Sequence, residues 1–351
     1  MSRLRLFFLL LAAGAAIAAV PEADIRVTAL PQQRLRIEPG QYSGITYLSG
    51  DMYAVVDDKL PGGGIVLFEL PLRQDGRVQV AGVRRTVPEG TLSASGPILD
   101  SEGVAYAGGK LYVSSENDQS IREYGLDGQA TGRTFAIPAE FGKDAITYNA
   151  GFEALTFHAA SGSFWTTTEL PLKTDGAASH LHRLQRFDAR FQAREQCLYQ
   201  MDEPSVPQAA SSSAQAYVYG IPALTALDDG RLIVLEREIY VPAGEPRDIL
   251  RKSFSRVKLY LVSPEASDGG VLSKQLLYSF QSGISLNIKG VNVEMANYEG
   301  MCLGPRLPDG RRCLVLIADS QAGMSRQAAR LGRKQLTSEY VKVILLEGEG
   351  V

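Results

Sequence analysis

Five stretches of the chain repeat one arrangement of apolar and polar positions: SGITYLSGDMYAVVDD (43–58), SEGVAYAGGKLYVSSE (101–116), GFEALTFHAASGSFWTTTELP (151–171), IPALTALDDGRLIVLER (221–237) and YEGMCLGPRLPDGRRCLVLIAD (298–319). Each begins with a small or acidic residue ahead of a short apolar run, passes a glycine-containing turn, and returns as a Val/Leu/Tyr-rich or Thr-rich run ending in an acid. Runs of this length and composition predict strands, and the turn joins each pair as an antiparallel hairpin. Further strand candidates lie between the hairpins: GIVLFELPL, SIREYGLDG, LHRLQRFDA and RVKLYLVSP, then the weaker RTFAIP, EQCLYQM and KQLLYSF.

About four strands per repeat, with repeats some 50 to 80 residues apart, predict an all-β propeller. Five repeats are directly legible and a degenerate sixth fits in the irregular stretches, so the expected count is five or six blades. YVKVILLEGEG near the C-terminus supplies a third strand of the last blade, and DIRVTALP near the N-terminus is placed to pair into it and close the ring. SRQAARLGRKQLTSEY (325–340) is the one helical-looking segment, and PQAASSSAQAY (207–217) reads as a low-complexity surface loop.

Residues 1–19 read as a secretory signal peptide, with Arg3 and Arg5 ahead of a short apolar core and a small-x-small site at Ala16-Ile17-Ala18. That core is too short for a comfortable bilayer span. Residues 20–351 are then one exported propeller domain, periplasmic or secreted, with no membrane span after cleavage. Removing the two arginines takes the formal charge from −3 to −5, which argues against nucleic acid as a partner. Of the three cysteines, Cys302 and Cys313 flank a turn and are expected to pair as a disulfide, leaving Cys197 over.

In a propeller the first strand of each blade lines the central channel. The hairpin turn closes one end, so Glu153 and Glu169 both lie at the other. Repetition places Glu102, Glu153 and Glu299 around that mouth together with the acids ending the second strands: Asp57 or Asp58, Glu116, Glu169, Glu236 and Asp319. Crowded carboxylates repel one another unless a cation or protons neutralise them. The ring therefore predicts a metal site, a cationic ligand or an acid/base pair. The structural alternative is that each acid accepts backbone hydrogen bonds and ties neighbouring blades together. There is no G-x-S-x-G elbow, and LPGGGIV lacks the Lys-Ser/Thr of a P-loop.

NAGFEALTF, TTELPLKTDG, GRLIVLERE and NYEGMCLGPRLPDGRRCLVLIAD, in this order, resemble the family named for the esterase-like activity of phytase. The resemblance runs from Ser43 to about Asp319. It carries Asn149, Gly151, Phe152 and Glu153 onto an Asn-x-Gly-Phe-Glu motif, and Glu169, Pro171, Leu172 and Asp175 onto an acid-Pro-Leu-x-x-Asp segment. Glu236-Arg237 matches a Leu-Glu-Arg strand end, and Asn297, Glu299 and Gly300 an Asn-x-Glu-Gly motif. Asp319 matches a late Asp, although Ser320 stands where an amide or acid is usual. Pro222 stands where other repeats carry an acid.

The resemblance implies an exported hydrolase of phosphate or carboxylate esters acting on a small molecule. Its residues then read as a Ca²⁺ site built from Glu102, Glu153, Glu169, Glu236, Glu299 and Asp319, since hard oxygen ligands select a hard cation. Glu153 or Glu299 serves as general base, with Arg122, Lys173, Arg237, Asn149 and Asn297 as substrate ligands. Two other readings compete: a non-catalytic propeller binding a sugar, peptide or protein, and a lactonase-like metal-dependent esterase.

Overall fold

The structure, a computed structural model, describes residues 24–147, 149–267, 269–287, 290–320 and 339–351. The signal-peptide reading and most of the helical reading at 325–340 fall outside those residues.

Among the described residues there are five sheets, each an antiparallel up-and-down meander. Blade 1 comprises Tyr42–Ser49 (β3), Met52–Asp57 (β4), Ile65–Glu69 (β5) and Arg84–Thr86 (β6). It follows Ile25–Ala29 (β1) and Gln33–Arg34 (β2) in the chain. Blade 2 is Ser101–Ala107 (β7), Lys110–Ser115 (β8), Ser120–Tyr124 (β9) and Ala130–Thr134 (β10). Blade 3 is Phe152–His158 (β11), Ser163–Thr168 (β12), Leu181–Phe187 (β13) and Ala193–Gln200 (β14). Blade 4 is Ala216–Ala226 (β15), Leu232–Val241 (β16), Phe254–Val262 (β17) and Lys274–Asn287 (β18), extended by Gly290–Val293 (β19). Blade 5 is Asn297–Arg306 (β20), Arg312–Asp319 (β21) and Tyr340–Gly348 (β22).

The inner strands β3, β7, β11, β15 and β20 are neighbours around a closed ring. The fold is a five-bladed β-propeller, and all five hairpins read from the sequence are its inner pairs. Ring closure also follows expectation. β1 pairs antiparallel with β22, Ile25 opposite Gly348, so the N-terminal segment becomes the outermost strand of the last blade. No long sheet edge is left open at that junction.

The hydrophobic core lies between blades. Ala105, Tyr112 and Ile121 of blade 2 interleave with Leu155, Phe164 and Phe187 of blade 3, while Phe135 stacks on Phe191 at 4.5 Å. Blade 1 contributes Tyr53, Val55 and Phe68 against Val315, Ile317 and Val343 of blade 5. Strands buried on both faces explain why the second strands lack clean alternation. SFWTTT of β12 is buried at every position, its threonine hydroxyls turned to backbone carbonyls such as Ala154 O at 2.6 Å.

Three differences from the sequence reading have local causes. Cys302 and Cys313 are buried free thiols, as is Cys197. β20 and β21 pair with Cys302 opposite Val315, two positions out of register for a bridge to Cys313. The stretch 207–217 is not all loop, since Gln208–Ser212 forms a short helix and β15 has begun by Ala216. Blade 2 ends on Ala130–Thr134, so its fourth strand falls short of the apolar part of RTFAIP.

Candidate functional site

All five inner strands are irregular at the same level. Ser43-Gly44 stand together opposite one residue of β4, Glu102-Gly103 opposite one residue of β8, and Ile221-Pro222 opposite one residue of β16. Glu153 and Glu299 are single extra residues in β11 and β20. A bulge leaves its residue out of the ladder and re-aims the side chain. Ser43, Glu102, Glu153, Ile221 and Glu299 are thus equivalent positions, three of them glutamates.

Three of these residues are followed by glycine for a steric reason. A Cβ on Gly44 would lie 2.4 Å from Glu102 O, one on Gly103 2.5 Å from Glu153 O, and one on Gly300 2.4 Å from Ser43 O. Neighbouring inner strands therefore touch backbone to backbone at the waist of the channel. The void left there is only about 10 Å³.

On the acid side of this waist opens a cavity of about 410 Å³. Glu102, Glu153, Glu169, Asn297, Glu299 and Asp319 line it, so the structure brings together five of the six carboxylates read as the Ca²⁺ site. Glu236 is the exception. It neighbours Arg237 on β16 and faces away, accepting from Tyr199 Oη at 2.6 Å and Lys274 Nζ at 2.7 Å between blades 3 and 4. Glu116 is a tie of the kind the structural alternative describes, its Oε1 accepting from Gly151 N at 2.6 Å.

Of the cations read from sequence, Arg237 alone reaches the cavity. It occupies the side where blade 4 has Ile221 in place of an acid, one residue before the Pro222 that the sequence reading put there. Its Nη2 donates to Glu169, and its Nη1 to Glu299 Oε1 at 2.5 Å and Asn297 Oδ1 at 2.9 Å, while its buried Nε has no partner. Asn297 Nδ2 donates in turn to Glu299 Oε1 at 2.7 Å. Arg122 pairs with Asp118 on the third strand of blade 2, and exposed Lys173 donates to Asp144 O at 3.3 Å. Neither lines the cavity. Asn149 sits at its rim in a left-handed conformation, φ 54°.

Lys59, Asp100 and the tyrosines of β15 were not assigned to the site from sequence, and of the two acids offered at the end of the first hairpin it is Asp58 that lines the cavity. Lys59 Nζ donates to Asp58 Oδ2 at 2.7 Å and to Asp100 Oδ1 at 2.8 Å. Asp58, Asp100 and Glu102 each place a carboxylate oxygen within 4.8 Å of the others. Tyr217 and Tyr219 wall the cavity where β15 runs on past its bulge. Their signals were present: Asp58-Lys59 ends the first hairpin, Asp100 precedes Ser101-Glu102, and AYVYG alternates directly ahead of an inner strand.

The cavity is strongly acidic. Asp58, Glu102, Glu153, Glu169, Glu299 and Asp319 face Lys59 and Arg237, an excess of four negative charges if all are ionised. Burial pushes the Glu153 carboxyl well above the usual range, and Glu102, Glu169, Glu116 and Glu299 push it further. Glu102 is raised well above that range by burial and by Glu299, against a hydrogen bond from Ser43. Burial raises Glu169 too, with Arg237 opposing. Glu116, behind the cavity wall, is raised to about 7 by burial, against its bond from Gly151. His182 is buried and its imidazole pushed down to about 3, chiefly by desolvation, so it stays neutral near pH 7.

Comparison with curated proteins finds no match. Among solved structures, the chain is similar to a glutaminyl cyclase of Myxococcus xanthus at 12% identity and TM-score 0.42, covering 92% of this chain and 98% of that one. A PQQ-bound aldose sugar dehydrogenase of Streptomyces coelicolor is similar at 11% identity and TM-score 0.40, covering 93% and 100%. Virginiamycin B lyase of Staphylococcus aureus is similar at 10% identity and TM-score 0.37, covering 91% and 99%. Likeness at this level carries nothing about chemistry. The family model described as esterase-like activity of phytase matches residues 37–321, which span every acid of the cavity, and the chain belongs to that phytase-like family.

Proposed function

We propose that the protein hydrolyses small-molecule esters, phosphate esters among them, at the acidic mouth of the propeller, with a divalent cation, Ca²⁺, as cofactor. The observation behind this reading is the charge of the cavity. Six carboxylates face two cations there, and one of those cations, Arg237, is already held between Glu169 and Glu299.

The donor set fits a hard cation. It consists of carboxylate oxygens, and among the described residues no hydrogen-bond donor reaches the Glu153 carboxylate. Glu102 and Glu299 would hold the ion, with Asp58 and Asp319 nearby and Glu153 left to act on water. When bound, the cation would polarise an ester or phosphoryl oxygen and lower the pKa of water.

The remaining roles belong to the chain. Glu153, whose proton affinity burial has raised, takes a proton from the attacking water. Arg237 has two of its three nitrogens engaged, so it fixes Glu169 and Glu299 in place rather than gripping substrate. Lys59 attracts the anionic part of a phosphate ester. The Tyr217–Tyr219 pair, rings near parallel at 6.4 Å, offers a wall for the rest of the substrate. Export, read from the N-terminal residues, would place the site where modest affinity suffices, since extracellular Ca²⁺ modules work at dissociation constants of about 10⁻⁴ to 10⁻³ M.

The test is turnover of p-nitrophenyl phosphate, p-nitrophenyl acetate and a simple lactone by the mature chain, in Ca²⁺ and in chelator. At least one ester should be cleaved in Ca²⁺ only, and Glu153→Gln should lower that rate by about 10² or more. A Ca²⁺-dependent rise in melting temperature without turnover of any ester would replace hydrolysis by the binding-module reading.

A further inference from the structure

The channel has a second mouth with different chemistry. Below the glycine waist, the far halves of the inner strands enclose a cavity of about 350 Å³. That is within the range of small-molecule pockets. Its wall mixes polar and apolar surface, the larger apolar side chains being Tyr47, Tyr106, Phe157 and Leu303 from four different blades.

Its acidic and basic side chains are Asp228, His158 and Arg312. Asp228 Oδ2 accepts from Arg306 Nη2 at 3.0 Å. Both nitrogens of His158 are engaged, Nδ1 with Ser161 Oγ at 2.7 Å and Nε2 with Asp228 O at 3.1 Å. Arg312, first residue of β21, differs from both. Among the described residues no carboxylate or hydrogen-bond acceptor reaches its guanidinium, and its Nε is buried without a partner. A buried unmet donor on a permanent cation is costly unless something supplies the acceptor.

We propose that this mouth is a second ligand site, specific for a small monocarboxylate with an aromatic or aliphatic body. The guanidinium fork matches a carboxylate in two hydrogen bonds, and the tyrosine, phenylalanine and leucine side chains take the apolar remainder. One unpartnered cation beside aromatic and aliphatic side chains suits a single negative charge. A phosphate dianion would keep most of its charge unmet there, and a neutral ligand would leave Arg312 as it is. The waist, with room for about one water, keeps this site chemically separate from the carboxylate mouth.

Calorimetric titration of the mature chain with 2-naphthoate, 2-naphthalenemethanol and inorganic phosphate tests the proposal. Naphthoate should bind at least about ten-fold tighter than the alcohol, and phosphate should not compete. Arg312→Gln should weaken naphthoate by about ten- to hundred-fold and leave the alcohol unchanged. Arg312→Lys, which keeps the charge and much of the stem, should retain part of the affinity and covers the case of a misfolded Gln variant. Glu153→Gln, in the other mouth, should leave naphthoate affinity unchanged. Equal binding of acid and alcohol, an unaltered Arg312→Gln titration, or no naphthoate binding at all would overturn it.

Discussion

Gly103→Ala adds one methyl group where two blades meet. Its Cβ would sit 2.5 Å from Glu153 O, 2.6 Å from Leu155 N and 2.6 Å from Ser114 Oγ. Two of these atoms are backbone of blade 3, so no side-chain rotation relieves the contact. Strands β7 and β11 must part by about 1 Å to reach ordinary van der Waals separation. Gly103 does not have a positive φ, so alanine is conformationally admissible and gains about 0.4–1 kcal/mol from the stiffer unfolded chain. Overpacking costs about 1–3 kcal/mol, or more where backbone must move, so a net loss of about 2 kcal/mol is expected. With an unfolding entropy of about 0.7 kcal/mol/K for roughly 330 residues, that is a fall in melting temperature of about 3 °C.

Urea denaturation followed by tryptophan fluorescence reads the change, since Trp165 lies in β12 beside the affected strand. Gly50→Ala is the control. Nothing lies within 4 Å of its Cβ, and only its φ of +56° opposes the substitution, at about 1 kcal/mol. Because Glu102 and Glu153 flank the contact, Gly103→Ala should also weaken any Ca²⁺-induced stabilisation, which Gly50→Ala should not. If Gly103→Ala unfolds within 0.5 kcal/mol of the parent chain, backbone contact between inner strands does not set the waist.

Stability in chelator should fall as pH rises from about 5 to 8. Glu116 is raised from 4.5 to about 7, so across that window the folded state binds protons that the unfolded state has released. The loss from Glu116 alone is on the order of 3 kcal/mol, Glu102 and Glu153 act in the same direction, and a melt that is flat with pH would contradict the buried-carboxylate picture. Arg237→Met should destabilise by about 3–5 kcal/mol, because it strands Glu169 and Glu299 as uncompensated buried acids. Adding Glu169→Gln should recover part of that loss, and strict additivity in this double-mutant cycle would show that the two do not interact.

What the sequence determined by itself was the architecture. Hairpin grammar repeated five times can bury its apolar faces only against copies of itself, which forces a ring, and IRVTA near the N-terminus was already written as the strand that closes it. The acids of SEG, FEA and YEG were legible for the same reason, since equivalent positions in a ring converge on one axis.

Which neighbouring acid turns inward was decided by the tertiary structure alone. In LERE of β16, adjacent residues point to opposite faces, so Glu236 turns to Tyr199 and Lys274 while Arg237 turns to Glu169 and Glu299. Arg237 thereby became the counter-ion of the site while Glu236 went to Lys274. Register likewise separated Cys302 from Cys313, although their spacing across a turn suggested a pair. Lys59 and Asp100 meet only because successive blades bring the end of one hairpin to the entry of the next. Periodicity records which residues are alike, whereas the contacts between unlike residues at blade junctions depend on strand register and backbone separation, which exist only once the ring has closed.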